Sequence, residues 1–541
     1  MRSFVRTPLR CAAVAAVSMA LLAPAAAQAD TGPAAAAAER IAGVDPDRVT
    51  IPDLQQALER HRLTSEQLTA LYLDRIRRLN PRLGAVVTVN PDAVAIARAS
   101  DRARRFHGAR GPLEGIPVLL KENMDTADRQ PTTAGSTALA AAKPAKDAEL
   151  VRRLREAGAV VLGKANMTEW ANFRSPMAVA GWSAVGGQTH NPYVLDRSAS
   201  GSSSGSAAAA AAGLAAVTIG TDTGGSIVDP AATTSTVGVR PTLGLVSRTG
   251  IVPITSRQDT AGPIARNVTD AALTLWAIQG PDPADPDTAP AAGTLPPDYR
   301  TVLDRGALRG KRIGVWREGH TGVDADVDRV FDATVRKLRE LGATVVEGAD
   351  VPQPEKLHEH LLPALLAEFK HDINAYLAAT PGSHPADLAG LIAYNKEHAG
   401  IEDMARFGQE LFELAEPTAG DVDDPQYRAH RAAAVDLARR AIDDTLAAHG
   451  LDAIVTPTTL PATPVDFQPD APSPFASTTD NSVVAGYPQI TVPAGYTGRG
   501  LPLGVTFLGT RFSDARLLGY AYAYEQATQA RHAPQYLPTL P

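Results

Sequence analysis

Ser200-Gly201-Ser202-Ser203-Ser204-Gly205-Ser206 runs straight into Ala207 to Ala212, and Gly220-Thr221-Asp222-Thr223-Gly224-Gly225-Ser226-Ile227 follows. A Gly/Ser linker would separate domains and stay polar. This stretch instead feeds an Ala-rich helical segment, with Ser206 placed to cap it, and Ala215 to Ile219 then resumes an apolar pattern. The segment therefore reads as a tight loop entering a buried helix. Helix N-termini concentrate N–H donors and favour negative charge. Paired glycines before Ser226 let backbone N–H groups approach a ligand closely, the arrangement of an oxyanion hole.

Working outward, short apolar runs alternate with helical patterns. Gly115 to Leu120 and Ala159 to Gly163 read as buried strands, and Leu150 to Ala157 as a helix. Thr64-Ser65-Glu66-Gln67 is a capping box, Leu68, Leu71, Tyr72, Ile76 and Leu79 share one helical face, and Pro81 is expected to end that helix. Asp92 to Phe106 is a second helix, Arg-rich outside. The Gly/Ser/Thr-rich stretch from Ser200 to Arg266 interrupts this rhythm, and Gly280 to Pro297 is a connection. Lys311 to Val315 and Val345-Val346 start a second series, with late strands at Asp452 to Pro457, Gln489 to Pro493 and Leu503 to Phe507. Residues 352–416 read as a helical insertion over the sheet, with Leu361, Leu362, Leu365, Leu366 and Phe369 on one stripe. Such alternation predicts an α/β protein with helices on the faces of a sheet.

Composition narrows the function. Across 541 residues, 52 Lys and Arg face 59 Asp and Glu, a net charge of −7, which excludes a basic nucleic-acid binder. Hydrophobic residues at 44% exclude a disordered chain. The single Cys, Cys11, excludes an internal disulfide and a Cys-based metal site. Arg2, Arg6 and Arg10, the apolar run Cys11 to Leu22, and Ala27-Gln28-Ala29 form the three parts of a secretory signal peptide over 1–29. Cleavage there leaves residues 30–541 as an exported (secreted or periplasmic) chain with no span long enough for a bilayer.

Several motifs are excluded by context. Neither glycine segment continues into Gly-Lys-Ser/Thr, so a phosphate loop is absent, and the dinucleotide fingerprint is missing. Gly201 to Gly205 matches G-x-S-x-G, but Pro192 and Asp196 spoil a preceding strand, and none of the 12 His sits in a catalytic setting. His358, His360 and His371 do not share a helix face with completing carboxylates, so no metal site is read. Lys121 stands out among only nine Lys. It ends an apolar strand, where lost hydration lowers an amine's pKa and frees it as a base; Glu122 and Asp125 are its available ion-pair partners in the alternative, structural reading.

Lys121 in Leu120-Lys121-Glu122-Asn123, Ser202 in Ser200-Gly201-Ser202-Ser203, and Ser226 in the glycine loop together resemble the amidase signature family. The block Asp259-Thr260-Ala261-Gly262-Pro263-Ile264-Ala265-Arg266 fits as well, and the signature spans about 113–272. Within the family the likeness is greatest to bacterial peptide amidases, carried by Glu169 to Arg174, Gly181 to Ala184, Gly186 to Thr189, Gly244 to Arg248 and Phe407 to Leu411. Two departures stand: Ser200 occupies a position where many members have Gly, and Val228 one where many have Arg. The peptide-amidase branch shares that Val, so it marks a subgroup.

The resemblance implies a single α/β/α domain with a mixed central sheet covered by helices. It implies that Ser226 attacks an amide carbonyl while Ser202, after a cis bond from Gly201, relays its proton to neutral Lys121. Backbone N–H groups of Thr223, Gly224, Gly225 and Ser226 would hold the oxyanion, with Ser203 supporting Lys121 and Asp222 tying the loop. Asn172, Phe173 and Trp182 would contact substrate; Lys164, Asn166 and Trp170 either line the cleft or serve the structure. No cofactor and no metal are implied. The expected partner is a small peptide or amide substrate, with no nucleic acid, no membrane after signal cleavage, and a monomeric state. The expected activity is deamidation of peptide C-terminal amides. Its alternatives are an aryl- or fatty-acylamidase, a protein like the tRNA-dependent amidotransferase subunit that works on charged tRNA, and a non-catalytic binding homologue.

Overall fold

Eleven strands form one twisted sheet in a computed structural model that describes residues 43–294, 296, 298–466 and 477–541. The signal-peptide segment lies outside the described residues. In chain order the strands are β1 (Val86–Val89), β2 (Pro117–Lys121), β3 (Val160–Ala165), β4 (Val217–Asp222), β5 (Val237–Arg240) and β6 (Thr260–Ala265). Then follow β7 (Arg312–Val315), β8 (Thr344–Val346), β9 (Ala453–Pro457), β10 (Gln489–Tyr496) and β11 (Pro502–Leu508). Their order across the sheet is β1-β3-β2-β4-β6-β5-β10-β11-β9-β7-β8.

The sheet is mixed. β2 lies parallel between β3 and β4, whereas β6 runs antiparallel to both β4 and β5. Strands buried on both faces read as continuous apolar runs, and β2 and β3 are buried at every position. The Gly/Ser/Thr-rich stretch does not interrupt the sheet as its composition suggests; it supplies β4, β5 and β6, the central strands. The reason is close packing. The Ser204–Ala211 helix is buried on all sides, and a Cβ on Gly220 of β4 would fall 2.8 Å from Ser203 Oγ. Small residues replace the usual bulky pattern because backbone meets backbone there.

Helices cover this sheet. Ser65–Leu83, Ala93–His107, Val268–Ile278, Ala325–Glu340 and Asp514–Thr528 share one hydrophobic core with its strands. The Thr64–Gln67 capping box forms, but Pro81 does not stop the helix, which runs to Leu83. Pro81 removes only one hydrogen bond near the end, and termination waits for Gly84 in the left-handed region (φ 57°), whose N–H donates to Asn80 O at 2.8 Å.

Residues 352–416 contain the helices Leu357–Ala379, Leu388–Glu397 and Glu410–Ala415. The expected leucine stripe divides. Leu361 and Leu365 pack with Trp316, Ile454 and Leu508, toward the sheet, while Leu366 and Phe369 pack with Trp170, Phe412 and Ile254, over the loops at one sheet end. Leu362 is exposed. A two-residue ladder, Gly382–Ser383 against Ala141–Ala142, fastens this layer to those loops. Among the described residues no helix is long and apolar enough to cross a membrane.

The Ser204–Ala211 helix begins without the expected Ser206 cap. Ser206 Oγ donates to Ile219 O at 2.9 Å, so the hydroxyl ties the helix to β4. A Cβ on Gly205 would lie 2.5 Å from Ala85 O and from Asn166 N and O. Gly205→Ala is therefore expected to lower stability by about 1–3 kcal/mol through overpacking. A fall in the urea midpoint measures this; an unchanged midpoint would mean the helix can move off the sheet freely.

Candidate active site

β2 and β4 are parallel neighbours, so their last residues, Lys121 and Asp222, emerge at the same sheet end. β5 runs the same way and ends at Arg240, while β6 opens opposite Asp222 with Thr260. Ligands favour the crevice beyond such strand ends.

Lys121 is fully buried. Its Nζ lies 2.8 Å from Ser202 Oγ, 3.1 Å from Ser203 Oγ and 2.8 Å from Thr221 Oγ1. Neither expected acid pairs with it. Glu122 accepts from Thr133 and from Gly135 N, and Asp125 from the Tyr376 hydroxyl. Burial without a salt bridge pushes the Lys121 amine down to about 7, against a smaller upward pull from Asp222 and Asp259.

Counting protons orders the network. Ser203 Oγ donates to Thr221 O at 3.0 Å and accepts from Thr221 N at 3.2 Å, so it can only accept from Lys121. Thr221 Oγ1 already accepts from Asn123 Nδ2 at 3.1 Å. The two N–H bonds of a neutral Lys121 have acceptors in Ser203 Oγ at 3.1 Å and in Thr221 O at 3.3 Å. Its lone pair is left for a hydroxyl, and Ser202 Oγ and Thr221 Oγ1, each 2.8 Å away, both carry a proton that no other acceptor takes among the described residues. The Gly201–Ser202 peptide is cis.

Ser226 follows β4 through the glycine loop. It sits beside the serine cluster, with Ser226 O accepting from Ser203 N at 3.2 Å. It is 9% exposed, and its hydroxyl has no hydrogen-bond partner among the described residues, so it faces open space. Asp222 holds the loop from beneath: Oδ1 accepts from Gly225 N at 2.9 Å and Oδ2 from Ile227 N at 2.7 Å. Arg240 Nη1 clamps Asp222 at both O and Oδ1, and this ion pair is fully buried. Thr223 Oγ1 donates to Asp259 Oδ1 at 2.5 Å, and burial raises Asp259 to about 6.

This geometry corrects the expected donor set. The Gly225 N–H is engaged by Asp222. Thr223, Gly224 and Ser226 retain N–H groups without a partner among the described residues, and Gly224 is exposed. Gly225 instead supplies the bend, at φ 94°.

Two of the residues expected to contact substrate, Phe173 and Trp182, meet the helical layer. Phe173 packs on Phe369 with centroids 4.8 Å apart, and Trp182 on Phe407 at 4.6 Å, and both side chains stay partly exposed. Asn172 is exposed, with φ at 75° and no side-chain hydrogen bond among the described residues. Lys164 is no surface turn: it is buried in β3, with Nζ donating to Met124 O and Thr132 Oγ1. Trp170 is buried against Phe412, and Asn166 Nδ2 ties down Gly187 O. Sequence reasoning missed Thr221, Arg240 and the Asp259 contact. Alternation along β4 places Thr221 and Asp222 on opposite faces, which is the one signal that could have assigned Thr221 to Lys121.

Comparison with known proteins gives the family. The amidase family profile matches residues 67–518, and the chain belongs to that family. It is 43% identical over 497 residues to a probable amidase of Arabidopsis thaliana, covering 90% of this chain and 91% of that protein. It is 37% identical over 495 residues to a glutamyl-tRNA(Gln) amidotransferase subunit of Moorella thermoacetica, covering 89% and 97%. The crystal structure of the native peptide amidase from Stenotrophomonas maltophilia superposes with a TM-score of 0.84 at 47% identity, covering 90% of this chain and 99% of that one. Fold, family and site together define an amide-hydrolysing enzyme.

A base that works as the neutral amine gains activity as pH rises through its pKa. kcat/KM for an amide substrate is accordingly expected to climb with pH and reach half its plateau near 7. A profile flat across roughly pH 5 to 9 would exclude Lys121 as a titrating base.

Proposed function

We propose that this chain is an exported serine amidase that removes the terminal carboxamide nitrogen of peptides as ammonia. The observation that carries the reading is a buried Lys121 amine, held near 7 with no carboxylate bonded to it, 2.8 Å from the Ser202 hydroxyl. A serine hydroxyl becomes a competent nucleophile only when its proton has somewhere to go. Ser226 Oγ adds to the amide carbonyl carbon, its proton passes to Ser202 Oγ, and the Ser202 proton passes to Lys121 Nζ. The oxyanion accepts from the free N–H groups of Thr223, Gly224 and Ser226, each such donor contributing about 3 kcal/mol in comparable sites. Collapse of the tetrahedral intermediate breaks the C–N bond, and the relay run backwards protonates the leaving nitrogen. Water then attacks the acyl-enzyme by the same route and releases the acid.

The peptide substrate is supported by the likeness to the Stenotrophomonas maltophilia peptide amidase along nearly the whole of that chain. Export is supported by the three-part leader over 1–29. The amidotransferase relative supports a second reading, ammonia release for a charged tRNA; an export leader runs against it, because tRNA charging is a cytoplasmic process.

The test is mass spectrometry of the protein incubated with a peptide C-terminal amide, a fatty amide and glutamine, with Ser226→Ala as control. Conversion of the peptide amide to its acid is expected, falling at least a thousandfold in Ser226→Ala, roughly the effect of losing a catalytic nucleophile. Turnover of the fatty amide or glutamine alone would keep the serine chemistry and discard the peptide substrate. Equal turnover by Ser226→Ala would remove the nucleophile assignment.

A further inference from the structure

The three N–H groups left free in the glycine loop share one feature: each belongs to a peptide whose carbonyl is held. The loop peptides are trans, and in a trans peptide the C=O and the N–H point in opposite directions. A donor bonded to the oxygen therefore fixes where the N–H faces. Asp222 O, in the peptide that carries the Thr223 N–H, accepts from Arg240 Nη1 at 2.8 Å. Thr223 O, in the peptide that carries the Gly224 N–H, accepts from Gln258 Nε2 at 3.2 Å. Gly225 O, in the peptide that carries the Ser226 N–H, accepts from Asp229 N at 3.0 Å. The Gly224–Gly225 peptide is the contrast. Its oxygen accepts no hydrogen bond among the described residues, and its N–H is the one turned to Asp222. Arg240 Nη2 donates to Gln258 O at 3.0 Å, so these two holders stand side by side. The Asp222 and Thr223 carbonyls thus turn toward one wall, and the Thr223 and Gly224 N–H groups turn away from it.

The Thr223–Gly224 peptide depends most on its hold. A Cβ built on Gly224 would meet nothing within 4 Å, so no packing confines that residue, and a glycine turns freely. The bond from Thr223 Oγ1 to Asp259 fixes the side chain and leaves the following peptide plane to rotate. Gln258 itself is buried, and its amide has one orientation. Arg431, in the Pro425–His449 helix, offers donors alone. Its Nη1 lies 2.6 Å from Gln258 Oε1, its Nη2 donates to Arg257 O at 2.7 Å, and its Nε stands 3.5 Å from Glu368 Oε1. The amide oxygen of Gln258 therefore faces Arg431, and its NH2 group faces Thr223. The charge-assisted bond at one end polarises the amide and strengthens the bond at the other.

We propose that Gln258, its amide oriented by Arg431, is a positioning residue that aims the Gly224 N–H at the oxyanion. This deepens the amidase reading and rests on the glycine-loop N–H groups as oxyanion donors. Gln258 acts on the reaction through one peptide. The oxyanion exists only after Ser226 has added to the carbonyl, so losing the hold weakens transition-state binding and leaves ground-state binding alone.

The experiment compares the parent enzyme with Gln258→Met and Arg431→Met, each counted by active-site titration with a fluorophosphonate so that loss of folded protein cancels. kcat and KM for a peptide C-terminal amide are read beside two inhibition constants. One is for a peptide aldehyde, which forms an oxyanion on Ser226, and the other for the peptide acid, which does not. In Gln258→Met, kcat is expected to fall about tenfold to a hundredfold, less than the loss of a whole donor. KM and the constant for the acid should stay within about twofold, while the aldehyde weakens by the same factor as kcat/KM. Arg431→Met should show the same pattern at smaller size, because the Gln258 amide is then free to turn its oxygen toward Thr223. A kcat within about twofold of the parent in Gln258→Met, or a loss shared by KM and the acid, would overturn the proposal and leave the amidase reading intact. Should Gln258→Met fail to fold, unchanged aldehyde binding by Arg431→Met would overturn it. A parent enzyme that neither turns over an amide nor titrates would overturn the amidase reading, and this proposal with it.

Discussion

A lysine nitrogen sealed from water with no carboxylate bonded to it is the constraint around which the rest of this molecule is arranged. An ammonium in that place would forfeit its hydration for three hydroxyl contacts, so the amine is held near 7 and can exist neutral. Keeping it so requires a fully buried strand end, which β2 supplies between two parallel neighbours. It also requires hydroxyls rather than acids at Nζ, and Ser202, Ser203 and Thr221 provide them. Ser203 can approach β4 only because Gly220 has no side chain there, and the buried helix that follows it is built of serine, glycine and alanine for the same reason.

Acids are present near the amine, and the fold disarms them individually. Asp222 pulls the Lys121 pKa upward only weakly against burial. Its charge is spread over two backbone N–H groups of the glycine loop and the Arg240 guanidinium. One carboxylate thus shapes the loop and is prevented from pairing with the base. The arrangement has a consequence for catalysis, since the N–H that Asp222 captures from Gly225 is withdrawn from the oxyanion site. Buried ion pairs of this sort contribute little to stability, and here the gain is in the geometry of the loop they hold.

The helical layer over 357–415 shows how a single helix can serve two environments. Leu361 and Leu365 turn toward the sheet, while Leu366 and Phe369 turn toward the loops around Trp170, although all four lie within nine residues. An amphipathic count on one helix sees only that these positions are apolar. It cannot tell one wide face from two faces meeting different partners. The same limit applies to Phe173 and Trp182, whose aromatic character suits a substrate cleft and a packed wall equally well. Their ring partners, Phe369 and Phe407, are about two hundred residues away in the chain.

Much was legible without coordinates. Lys121, Ser202 and Ser226 can be read from local residue chemistry: a basic residue ending an apolar strand, and two serines in glycine-rich loops. The strand and helix alternation around residues 115–165 can be read from periodicity. These features depend on residues close in sequence, where backbone geometry ties pattern to structure. Tertiary structure alone decided that the glycine-rich stretch forms the middle of the sheet, because the small residues answer to a helix packed against them. It alone decided that Gly225 gives its N–H to Asp222 and that Arg240 neutralises that acid. Each of these rests on contact between segments the chain brings together only on folding. Whether a charge is paired, and so what it can bind or donate, depends on those contacts rather than on residue type.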